Sequence, residues 1–236
     1  VPSPGRRGPQ ETEVASGPLM DSRLLLSFGA VAAAGAALLL RDKTTDSDNT
    51  GQPAARPPLP QGSTSLGVRA VEVLSRHVGE HGEGKKGTAG YHRSPFIDRI
   101  NLGVYGDGKG LIGKPWCARG VRWAYETAAQ ELGLPPPFSR IKSTLANVST
   151  WKSAPFQPFF LSSPRVGAAL LLGEEHATLI AQVLDERTAI CVEGNHLDQV
   201  AFVRRTIRPQ DTIVDVEAYA RGGVVVGCDL DLLGAG

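Results

Sequence analysis

Residues 166–195 read VGAALLLGEEHATLIAQVLDERTAICVEGN, three apolar runs separated by short polar turns. Short runs rich in Val, Ile and Leu and bounded by turn residues are the pattern of β-strands. AFVRRTI (201–207) and GGVVVGC (222–228) continue it toward the C-terminus. Upstream the period changes. Val68, Val71, Leu74 and Val78 recur at helical spacing. Ser94-Pro95 offers an N-cap with proline at the first helical position, ahead of Phe96, Ile97 and Ile100. Ala118, Val121, Tyr125, Ala128 and Leu132 form the stripe of a further helix, which Gly133 and Pro135 stop. Another short helix is expected over residues 143–151. Helices first and an antiparallel sheet after them predict an α+β domain.

The 236 residues are 41% hydrophobic and 21% charged, with a formal net charge of +1. That balance lacks the basic excess of a nucleic-acid binder, so no nucleic-acid partner is expected. Cys117, Cys191 and Cys228 are odd in number, far apart and without a C-x-x-C pair, which excludes a disulfide scaffold and a zinc ribbon.

Residues 1–23 are rich in Pro, Gly and Ser and have no apolar period, so disorder is expected. Residues 24–40 (LLLSFGAVAAAGAALLL) carry no charge and are bracketed by Arg23 and Arg41. A run near the lower limit of a spanning helix, about 17 residues, and ending in a poor cleavage site predicts a membrane signal anchor. The alternative is a signal-peptide apolar region. Residues 41–65 are polar and then Pro-rich, the composition of a linker. The globular domain is therefore expected over 66–236, outside the cytoplasmic membrane, either anchored or released to the periplasm or wall.

Thiolate chemistry needs an ionised sulfur, a nearby base and a group that orients the base. Cys117 falls in the first turn of the helix read above, where unpaired N–H groups and the helix dipole favour an anion. The same N–H groups suit an oxyanion. His176 heads the run ATLIAQVLD, placing a ring at a loop-to-strand junction. In VEGN, strand alternation puts Glu193 and Asn195 on one side, and either suits the role of accepting the imidazole N–H. His77, His81 and His92 suggest metal ligands with Asp98 or Asp107. Their Gly- and Lys-rich setting points instead to solvated loops, and no metal is expected. Gly106-Asp107-Gly108-Lys109-Gly110 lacks the spacing of a phosphate-binding loop.

GKPWCARGVRWAYE (113–126) resembles the nucleophile motif of CHAP-type amidohydrolases and, more broadly, of NlpC-like cell-wall hydrolases. In that motif Trp-Cys-Ala/Ser opens a helix and an aromatic follows about two turns later, here Trp116, Cys117, Ala118 and Trp123. HATLIAQVL resembles the family's histidine strand, and VEGN its segment with Glu and Asn two apart. The likeness spans roughly residues 66–207. Gly167-Ala168 stands where Gly-Asp is usual and Glu175 where a small residue often precedes the histidine, which marks a divergent branch. The resemblance implies a papain-like core and a cysteine amidase or endopeptidase acting on the peptide part of bacterial peptidoglycan. Cys117, His176 and Glu193 or Asn195 would be its catalytic residues, and Trp116 a substrate contact. It implies no cofactor, and a monomer is expected. Two other readings stay open: a membrane-tethered cysteine protease acting on proteins, and a non-catalytic wall-binding module with a structural Cys117.

Overall fold

The structure is a computed structural model that describes residues 51–222, apart from 61, 85–87, 89, 90 and 142. Its elements in chain order are β1 (Gln52–Pro53), α1 (Leu66–Ser75), α2 (Pro95–Leu102), α3 (Cys117–Glu131) and α4 (Val148–Trp151), followed by β2 (Phe160–Leu161), β3 (Ala169–Leu172), β4 (His176–Asp185), β5 (Thr188–His196), β6 (Gln199–Thr206), β7 (Thr212–Val214) and α5 (Val216–Ala220). The strands make one seven-stranded sheet in the order β1-β6-β5-β4-β3-β7-β2. Every pairing is antiparallel.

Local chemistry sets the helix starts. The Ser65 hydroxyl accepts the Val68 N–H and the Ser94 hydroxyl accepts the Ile97 N–H, with Pro95 in the first turn. α1 ends at Ser75, one turn short of the apolar spacing, and Val78 beyond it is exposed. The main core lies between the sheet and the helices, where Ala177, Leu179 and Val192 meet residues such as Val71, Leu74, Val121 and Ala124. Strand alternation turns Leu170, Ile180, Cys191 and Ile213 to the opposite face, where they form a second buried cluster.

α3 is buried on nearly all sides, not along one stripe. That requires Arg119, Arg122 and Glu126 to be paired inside, because a buried charge without partners is costly. Arg119 donates to the carbonyls of Thr144 at 2.6 Å and Asn101 at 3.2 Å. Arg122 binds Glu126 at 2.7 Å and Asp107 at 2.8 Å. The glycine-rich loop around Asp107 thus wraps these arginines. A Cβ at Gly108 would come 1.8 Å from the Asn101 oxygen, so the close approach requires glycine.

Three expectations are corrected. The expected α+β domain is present, on a seven-stranded antiparallel sheet, but the single membrane segment expected ahead of it is not found among the described residues. Among the described residues no helix is long and apolar enough to cross a membrane. The charge-free run 24–40 and the disorder expected over 1–23 lie outside the described residues, as do GGVVVGC beyond Gly222 and Cys228. Second, the end of the expected linker is not free. β1 pairs with β6, and Ala54 and Leu59 pack against the main core, because β6 would otherwise present an unpaired edge. Third, the strand inventory was short by three. β1, β2 and β7 are two or three residues long, too short for a periodic signal.

Candidate active site

Cys117 is the first residue of α3 and only 6% exposed. No side chain caps this helix, and no acidic residue stands in its first turn. The terminal N–H groups are thereby left to an anion at the sulfur. His176 opens β4, and the preceding turn brings the Glu175 carbonyl to 3.9 Å from Sγ. His176 Nε2 lies 3.0 Å from Oε2 of Glu193 on β5, and the ring is near enough to Cys117 to act on the thiol. With Nε2 committed to the carboxylate, Nδ1 is the nitrogen that serves the sulfur.

The electrostatics follow from burial and pairing. Burial alone would raise the Cys117 thiol. The hydrogen bond and charge of His176, helped by the Ala177 and Ala118 amides, outweigh it and bring the thiol below its ordinary value of 9.0. Burial would lower His176, but its bonds to Cys117 and Glu193 raise it to about 10. Burial would raise Glu193, but Arg205 and His176 hold it down at about 2. These opposed directions are those of a thiolate–imidazolium pair backed by a carboxylate.

Glu193 and Asn195 do not share one role. A bulge between Glu193 and His196 breaks the alternation, and Asn195 takes a left-handed φ of 65°. Glu193 makes the bond to His176, while Oδ1 of Asn195 is buried without a hydrogen-bond partner. Trp116, read as a substrate contact, is completely buried. Its indole lies against Gly194, where an added Cβ would come 2.6 Å from Cζ3, and its N–H donates to Asp198 Oδ1 at 3.2 Å. That places the ring in the core, out of reach of a substrate.

His92 also departs from expectation. It is buried, with Nδ1 2.7 Å from Asp198 Oδ1. The other candidate ligands each turn elsewhere: His77 stacks on Phe96, His81 Nδ1 meets the Gly82 carbonyl, Asp98 binds Arg93, and Asp107 binds Arg119 and Arg122. Among the described residues no group of three or more His, Cys, Asp or Glu side chains is gathered to hold a metal ion.

Two supporting residues escaped the sequence reading. Arg205 on β6 donates Nε to Glu193 Oε1 and a terminal nitrogen to Oε2, both at 2.6 Å. A signal existed, since alternation from Val203 turns Arg205 inward and an inward arginine needs an acid. Asp198 had none, because its partners His92 and Trp116 are remote in sequence.

Comparison with family models, curated proteins and solved structures finds no match to the chain. The functional reading therefore rests on the site.

Proposed function

We propose that this protein is a cysteine-dependent hydrolase of amide bonds, and that its substrate is the peptide part of bacterial peptidoglycan. One observation carries the chemical half: Cys117 at an uncapped helix start, His176 beside it and acting on the thiol, and Glu193 3.0 Å behind the ring. The substrate half is supported by the resemblance of residues 113–126 and of the His176 and Glu193 strands to CHAP-type and NlpC-like hydrolases.

In this reading the Cys117 thiolate attacks the carbonyl carbon, and the C=O electron pair moves to oxygen, where the first N–H groups of α3 stabilise it. The His176 imidazolium gives its Nδ1 proton to the departing amine as the C–N bond breaks, leaving a thioester. Neutral His176 then takes a proton from water. The hydroxide attacks the thioester, and the thiolate leaves with the acid product. Glu193 holds the ring and stabilises its charged form throughout. The substrate requires the domain to act outside the cytoplasmic membrane, and a monomer suffices because every site residue comes from one chain.

Incubation with purified cell walls, followed by mass spectrometry of the released fragments, tests the proposal. New amine and carboxyl ends that appear with wild type and not with Cys117→Ala are expected. Cleavage of a generic protein with walls left intact would move the substrate to proteins. No Cys117-dependent cleavage of either would leave a binding module.

A further inference from the structure

The row of charges at the site does not end at Glu193. Both oxygens of this carboxylate, whose side chain has no exposed surface, are engaged by Arg205 at 2.6 Å. Arg205 is itself nearly buried, and Gly51 packs against it: a Cβ there would come 2.8 Å from its guanidinium carbon. Cys117, His176, Glu193 and Arg205 thus form a row from α3 through three adjacent strands, buried except for a part-exposed His176 ring, and alternating in sign as thiolate, imidazolium, carboxylate and guanidinium.

We propose that Arg205 is a positioning residue of this site: its two-pronged grip on Glu193 sets a positive charge behind the carboxylate and so keeps Cys117 and His176 in their thiolate–imidazolium form. This role rests on the reading of Cys117 as an ionised nucleophile. The argument is charge balance in a poorly solvated place. Removing Arg205 takes one positive charge from beside a buried carboxylate, and the added negative charge is relieved by taking up a proton. The thiolate is the most basic of the anions, so the proton goes to sulfur.

Among the described residues, the other ionisable groups near Glu193 do not supply the missing positive charge. His196 Nδ1 lies 3.6 Å from Glu193 Oε2, but burial lowers its affinity for a proton, leaving the ring neutral at neutral pH. Cys191, on the same face of β5, is pushed well up by burial and stays a neutral thiol. Asp211 acts on Arg205 from the loop before β7, but it is an acid engaged with Arg208. Around Cys117 itself the charged neighbour is His176.

The test is the pH dependence of Cys117 alkylation by iodoacetamide in the full chain, read on the peptide that carries Cys117, with folding checked by near-ultraviolet circular dichroism. Wild type should show an inflection below that of an ordinary thiol. Arg205→Met should raise the inflection by about one pH unit or more and slow alkylation at pH 7 about tenfold. Arg205→Lys, which keeps the charge, should retain the wild-type inflection. The double variant Glu193→Gln/Arg205→Met removes one charge of each sign and should recover most of what the single variant loses. A folded Arg205→Met with an unmoved inflection overturns the proposal. If that variant does not fold, an ordinary-thiol inflection in Arg205→Lys or in the double variant overturns it instead. An ordinary-thiol profile in wild type removes the nucleophile reading, and the role of Arg205 with it.

Discussion

At Cys117 the sulfur has little solvent to stabilise its charge, so ionisation depends on the helix start and on His176. Replacing either partner should stop chemistry and leave the fold in place. Cys117→Ala and His176→Ala are each expected to lower wall hydrolysis by about 10³-fold or more, with an unchanged circular dichroism spectrum. Near-wild-type turnover in either would reject the site. The same pair fixes a pH window. Activity should rise as Cys117 loses its proton below 9.0, and fall as His176 loses its own near pH 10, because the leaving amine then lacks its acid. A rate that keeps climbing beyond pH 10 would show that His176 is not that acid. Cys117 and His176 were legible in the sequence because both mark element starts, and an element start is a local property. The choice of Glu193 over Asn195 was not, since the bulge that reorients Asn195 depends on pairing with β6.

The β5–β6 hairpin does two jobs at its tip. Leu197 and Asp198 occupy the turn with φ of 51° and 64°, and that geometry aims the Asp198 carboxylate at His92 and Trp116. The hairpin is thereby fastened to the residue just before Cys117. Asp198→Ala leaves three buried groups, the His92 N–H and ring and the Trp116 indole N–H, without their acceptor and should cost about 1–3 kcal/mol in urea unfolding, whereas a merely exposed turn residue would cost almost nothing. Gly194 lies on the same strand, pressed on the indole. Gly194→Ala should overpack the completely buried Trp116 by about 1–3 kcal/mol and lower activity by shifting α3 against β5. Wild-type stability and activity in that variant would mean that the hairpin yields freely.

Across the whole molecule, the site is also a term in stability. Glu193 is held at about 2 against an ordinary 4.5, so its stabilising contribution is present above pH 4.5 and is lost as pH falls toward 2. Urea midpoints measured from pH 6 down to pH 2 should therefore fall more steeply for wild type than for Glu193→Gln; parallel curves would contradict the buried pairing. The helices, the longer strands and the order Cys117, His176, Glu193 could be read from the chain, because periodicity, caps and turn residues act between near neighbours. Tertiary structure decided what those signals cannot carry: the short strands β1, β2 and β7, the burial of Trp116, the pairing of His92 with Asp198, and the grip of Arg205 on Glu193. Each of these joins segments remote in sequence or too short for a period, and is fixed only when burial obliges a polar group or a strand edge to find its partner.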